Sequence, residues 1–131
     1  RHSFPTRRSS DLDKALQSFC PLAAELIEQS IHKAIQSGID FDAVFVTSDV
    51  GAISVVSALG KHRIKVPEQV KVVGYDNIQL AAYIHPTLTT INQPIDQAAI
   101  AMVELLKEKM AGSLSRSVLL PAELIERSST A

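Results

Sequence analysis

Asp49 and Asp76 are the residues of this chain best suited to binding chemistry, 27 positions apart and with two residues between each and the end of a short β-prone segment. An ionised carboxylate accepts two or more hydrogen bonds, which suits the vicinal hydroxyls of a sugar or the donors of a nucleobase. Two plainer readings stand beside this one. Asp49 can cap the helix that follows it, and Asp76 can bond its own backbone in a turn. Other chemistries lack their residues. A phosphate loop ending at Gly60-Lys61 would need Gly at position 55 and Ser or Thr at 62, where Val55 and His62 stand. There is no G-x-G-x-x-G, H-E-x-x-H or G-x-S-x-G. His32, His62 and His85 are scattered and read as ordinary surface or boundary histidines, so no metal or cofactor is expected. Cys20, the one cysteine, has no cationic neighbour in sequence to activate it and reads as a small packed residue.

The elements that must position the two acids follow from periodicity. Leu22, Ala23, Leu26, Ile27, Ile31, Ala34 and Ile35 recur at helical spacing between Pro21, a helix opener, and Gly38, a helix stop. Residues 13–20 form an earlier helical turn in this reading. Ala43 to Val46 is a continuous apolar run, expected to be a strand covered on both faces. Thr47-Ser48-Asp49 then supplies capping side chains to a helix from Val50 to Lys61. Val70 to Val73 predicts a second strand ended by Gly74, followed by the turn Gly74-Tyr75-Asp76-Asn77 and a short helical piece at Ile78 to Ala82. Leu88 to Asn92 reads as a third strand. Pro94 opens a helix from Ile95 to Met110, stopped by Gly112, and Ser117 to Leu120 and Leu124 to Glu126 read as closing strands. Strands alternating with helices imply an α/β fold with a parallel sheet, whose ligands bind at the strands' carboxyl ends. Both acids fall there.

Composition bounds the class. Of 131 residues 46% are hydrophobic and 21% charged, which is globular, and no apolar run reaches the ~20 residues of a membrane helix. Residues 1–12 (RHSFPTRRSSDL) are basic and Ser-rich, and SFPTRRSSDL resembles a translated sequencing adapter, so this stretch is set apart from 13–131. Setting aside Arg1, Arg7, Arg8 and Asp11 from thirteen basic and fourteen acidic residues leaves ten and thirteen, a net charge of −3. A DNA-binding domain would usually carry a basic patch, and none is visible.

The ordered set DAVFVTSDVGAISVVSALGKHRIKVPEQVKVVGYDN, HPTLTTINQP and LLPAELIERSST resembles the carboxyl-terminal part of LacI/GalR-type (lactose- and galactose-repressor) transcriptional regulators. Each piece is weak alone, while the set over residues 40–131 is specific. The resemblance implies a periplasmic-binding-protein-like type I fold with the effector between two subdomains. It implies that 13–131 is a partial effector-binding and dimerisation domain, a carboxyl-terminal subdomain part plus one helix of the other subdomain. The helix-turn-helix headpiece that reads DNA is expected upstream. Carried over by position, Asp76 matches the family's ligand-contacting acid, Ser48 and Asp49 the step after the preceding strand, and Gln93 the crossover glutamine. Val50 and Ile53 on the helix, and the Tyr83-Ile84 segment, match surfaces used for homodimerisation. Ser54 stands where the family usually has Gly.

These implications give a non-enzymatic, cytoplasmic regulator whose partners are a small-molecule effector, a sugar or sugar derivative, a second copy of itself, and DNA only through the headpiece. No membrane is involved. The alternative is a sugar-binding protein of a transporter, and a third class is an α/β enzyme or receiver-like domain. The helix 95–110 is expected to leave its apolar face, Ile95, Ala98, Met102 and Leu105, uncovered where its sheet is missing, which would make the chain marginal.

Overall fold

The structure, a computed structural model, describes residues 23–131 apart from Ile39 and Ser115. The leader at 1–12, the helical turn expected at 13–20, Cys20 and the opener Pro21 lie outside the described residues. The element order is α1 (Ala24–Gln36), β1 (Ala43–Phe45), α2 (Asp49–Lys61), β2 (Lys71–Tyr75), a 3-10 turn (Gln79–Ala82), β3 (Thr89–Asn92), α3 (Ile95–Met110) and β4 (Glu123–Ile125). The sheet runs β1-β2-β3-β4, the first two pairs parallel and the last antiparallel. The α/β class and its parallel-dominated sheet are as expected from the sequence.

Local chemistry explains most boundaries. Gly38 and Gly112 sit just past α1 and α3 with φ of 68° and 86°, the left-handed stop that glycine adopts without Cβ crowding. At the start of α2 the cap is Ser48, whose Oγ accepts the Gly51 N–H at 3.1 Å. Asp49 is therefore the first helical residue rather than the cap. The core forms where one face of the sheet meets the helices: Ile27 and Ile31 of α1, Ala52, Val55 and Leu59 of α2, Val72 of β2 and Leu88 before β3 are all buried. Full burial of a Val- or Leu-sized side chain stabilises by about 1.5–3 kcal/mol. An exposed Lys61–Glu28 ion pair, 2.7 Å, fastens α2 to α1.

Four expectations are corrected. β1 is not covered on both faces, since Phe45 is 59% exposed and β1 is an edge strand with the helices on its other face. Gly74 does not end β2 but lies inside it, where it and Tyr75 still pair with Thr90 and Ile91 of β3; it is glycine there because a Cβ would collide with the Asp49 carboxylate. Ser117 to Leu120 carries no strand, and β4 alone returns to the sheet. His32 and His62 are not scattered. His32 Nδ1 lies 3.2 Å from His62 Nε2 across the α1–α2 contact. α3 has no buried residue; of the apolar face expected to be uncovered, Ile95 and Met102 are exposed, while Ala98 and Leu105 are half-buried.

The terminal Arg-Ser-Ser-Thr works as a latch. Ser129, fully buried, donates through Oγ to the Val72 carbonyl at 2.6 Å and accepts the Thr89 N–H at 2.9 Å. Its backbone carbonyl accepts the Val72 N–H at 3.1 Å and its N–H donates to the Thr87 carbonyl at 2.9 Å, so the terminal turn sits between β2 and the chain leading into β3. These bonds give buried backbone groups of two strands the partners they would otherwise lack.

Candidate functional site

The carboxyl ends of β1, β2 and β3 lie side by side because the three strands are parallel neighbours. Each delivers a polar residue to the same end of the sheet: Ser48 and Asp49 after β1, Asp76 and Asn77 after β2, Gln93 after β3. The Asp76 turn is drawn over β3 by its own N–H, which donates to the Ile91 carbonyl at 3.0 Å. Asp76 is half-buried, and its Oδ1 accepts the Gln93 Nε2–H at 2.6 Å. Its Oδ2 takes no hydrogen bond among the described residues. Two of the four expected effector contacts are thus joined, with one carboxylate oxygen to spare.

The other two are used internally. Asp49 has 0% exposure. Its Oδ1 accepts the Thr90 hydroxyl at 2.5 Å and its Oδ2 accepts the Ile78 N–H at 2.8 Å. It faces the interior because α2 begins over the sheet and Gly74 leaves room for the carboxylate. The Ser48 hydroxyl, also buried, is taken up by the helix cap. In this arrangement neither side chain offers a surface to a ligand; both hold up the ground behind Asp76. Thr90 relays the support, accepting the Asn77 N–H at 3.2 Å while donating to Asp49.

Thr90, Asn92 and Arg127 are site-supporting residues that the sequence reading did not single out for the site, whereas Asn77 is expected from sequence to stabilise the Asp76 turn. Asn77 Nδ2 donates to Asn92 Oδ1 at 3.0 Å, and Asn77 Oδ1 accepts from Arg127 Nη2 at 2.8 Å. The signal available in sequence for Asn92 was positional: it adjoins Gln93. Of the expected dimer residues, Tyr83 is 75% and Val50 57% exposed, whereas Ile53 and Ile84 are half-buried against the core. Two shallow concavities, of about 240 and 260 Å³, lie elsewhere, one lined by Leu105, Leu114 and Arg116 and the other by Phe41, Ile64 and Val70. Neither includes Asp76. They do not redirect the site, since an open crevice edge encloses little volume. Among the described residues no group of three or more His, Cys, Asp or Glu is placed to hold a metal. No helix among them is long and apolar enough to cross a membrane.

The sequence matches the periplasmic binding protein-like domain family over residues 5–130. The chain belongs to this family. Within it the resemblance to LacI/GalR-type regulators holds. A relative from Aliivibrio fischeri (strain ATCC 700601 / ES114), the HTH-type transcriptional repressor PurR, is 35% identical over 91 residues, 70% of this chain and 26% of its own. A LacI-type transcription regulator from Bifidobacterium animalis subsp. lactis superposes with a TM-score of 0.76 at 32% identity, covering 86% of this chain and 41% of that one. The transcriptional regulator CelR in complex with cellobiose gives a TM-score of 0.79 at 29% identity, covering 90% and 37%. The chain spans about a quarter of the length of the curated relatives it matches. Those relatives are transcriptional repressors, not enzymes, in keeping with the missing catalytic signatures.

Proposed function

We propose that the chain is part of the effector-binding domain of a cytoplasmic transcriptional regulator, contacting a small polyhydroxylated molecule, a sugar or sugar derivative, through Asp76 and Gln93. The observation that carries this reading is the half-buried Asp76 carboxylate at the sheet's carboxyl edge, one oxygen bonded to Gln93 and the other without a partner among the described residues. A carboxylate held this way can accept a ligand hydroxyl without giving up its internal bond. The cellobiose complex of the similar CelR supports the sugar class. The repressor relatives support a regulator over a transporter's binding protein. Ser48 and Asp49 act in this reading behind the site, as supports.

The rest of the regulator's work is proposed with it. Val50 and Tyr83, with the edges of Ile53 and Ile84, form the surface on which a second copy docks about a two-fold axis. DNA is reached through a headpiece outside these residues. The effector shifts the pose of two subdomains, to the second of which α3 belongs, and so biases the headpieces by the 1–3 kcal/mol, roughly, that is typical of such coupling. The test is a thermal-shift screen of the full-length protein against cellobiose, common monosaccharides and nucleobases, followed by calorimetry. A sugar that binds at about micromolar Kd and alters the operator mobility shift supports the reading. Binding confined to nucleobases overturns the sugar assignment, and binding that leaves the operator shift unchanged overturns the regulatory one.

A further inference from the structure

Asp76 and Asn77 are consecutive non-glycine residues in the left-handed half of backbone space, with φ of 112° and 54°. L-residues persist there only where the surroundings over-determine them. Most of the restraint comes from β3 and its exit. Ile91 accepts the Asp76 N–H, Thr90 accepts the Asn77 N–H, and Asn92 and Gln93 bond the two side chains. One acceptor, Asn77 Oδ1, is left for a different segment. Arg127 takes it with Nη2 at 2.8 Å while its Nη1 donates to the Leu88 carbonyl at 2.6 Å. The guanidinium therefore ties the turn to the residue that leads into β3. Arg127 is itself seated, its N–H donating to Thr89 Oγ1 at 2.8 Å next to the buried Ser129 latch.

From this geometry we infer that Arg127 is the positioning residue of the effector site: it fixes the Asp76 turn through Asn77 and contacts no effector itself. The inference rests on the reading of Asp76 as the effector acid. Both acceptors of the fork are uncharged, an amide oxygen and a backbone carbonyl, so the charge alone does not explain the residue. What the site uses is a rigid planar group with two donors at a set separation, which the single ammonium of lysine does not reproduce. The bonds to the turn also come from both chain segments that lead to and from α3, Asn92-Gln93 on the way out and Arg127 on the way back. The turn is where these two connections meet.

The experiment uses the full-length protein with Arg127→Met and Arg127→Lys. Amide hydrogen exchange is followed at Asp76 and Asn77, with Val55 and Leu59 in α2 as references. Both variants should exchange about tenfold faster at the turn, with the references unchanged. Unchanged exchange at the turn overturns the inference, and so does restoration by lysine. The second arm titrates whichever compound of the screen above binds the unmodified protein. Its Kd should rise about tenfold in both variants, and each variant combined with Asp76→Asn should bind no more weakly than Asp76→Asn alone. Fully additive losses would mean that Arg127 contacts the effector directly, which contradicts the assignment. If the unmodified protein binds no compound of the panel, the effector reading of Asp76 has failed, and the exchange arm still decides whether Arg127 holds the turn.

Discussion

The ends of β1 and β2 present the same residue type at the same topological place and put it to opposite uses. Asp49 follows β1, lies fully buried and spends both oxygens on internal donors, the Thr90 hydroxyl and the Ile78 N–H. Asp76 follows β2, is half-buried on a left-handed turn, and has one oxygen bonded internally. The difference lies in the next few residues. Asp49 opens a thirteen-residue helix that lies down on the sheet and carries the carboxylate inward over Gly74. Asp76 opens a turn that folds over β3 and keeps its side chain at the edge. In the proposed reading, an acid at the carboxyl end of a strand serves as a contact or a support according to how many donors the fold has already aimed at it.

The comparison breaks most sharply at Asp49. Asp49→Ala leaves a buried hydroxyl and a backbone N–H without their acceptor, and should cost about 2–4 kcal/mol in chemical denaturation. A loss under ~1 kcal/mol would mean that the carboxylate is not a support. Gly74→Ala comes next. Its Cβ would meet the Asp49 carboxylate and stand 3.0 Å from Leu88 Cδ2 and 3.3 Å from Ala52 Cβ, an overpacking worth about 1–3 kcal/mol. Combined with Asp49→Ala the two costs should fall short of their sum, because the smaller side chain removes the worst collision. Equal additivity would place the crowding elsewhere.

Smaller effects lie on the surface. Tyr83→Asp should yield monomers by light scattering with the melting temperature of the protomer little changed, since Tyr83 is exposed. Ile84→Asp is the blunter probe, because Ile84 also packs against the core and its loss mixes folding with assembly. A Tyr83→Asp dimer would move the interface away from this segment. The smallest effect is at Glu108, which Arg116 holds below the ordinary carboxylate range by a hydrogen bond at 2.8–2.9 Å. A depressed folded-state pKa stabilises above the unfolded value and loses that contribution as pH falls through the folded one. The pair lies at the surface, with the Arg116 and Glu108 side chains 53% and 40% exposed, so Glu108→Gln should leave the melting temperature near neutral pH unchanged.

Much of this was legible because it is local. α3 was read at Ile95 to Met110 and is found there, since Pro94 and Gly112 punctuate a clear helical period. The family likeness carried Asp76 and Gln93 to one site, and the structure joins them by a hydrogen bond. What was not legible depends on partners distant in sequence. Gly74 reads as a strand end until the Asp49 carboxylate is placed over it, and His32 and His62 meet only when α1 packs on α2. Arg127 and Ser129 meet their partners across 40 or more positions, at Asn77, Thr89 and Val72, and no periodicity reports such a bond. The strand expected at Ser117 to Leu120 failed for the converse reason: its apolar residues have β propensity, but the segment pairs with no strand among the described residues, and Leu119 is almost fully exposed.

The central claim is that Asp76 contacts the effector while Asp49 holds the site. Calorimetric titration of Asp76→Asn in the full-length protein, beside its melting curve and those of Asp49→Asn, tests it most directly. The cognate compound should bind Asp76→Asn roughly 10- to 150-fold more weakly, the equivalent of about 1.5–3 kcal/mol for one hydrogen bond to a charged acceptor, with an unchanged melting temperature. Asp49→Asn should melt several degrees lower. Undiminished affinity in Asp76→Asn, with the loss appearing in its stability instead, would contradict the account.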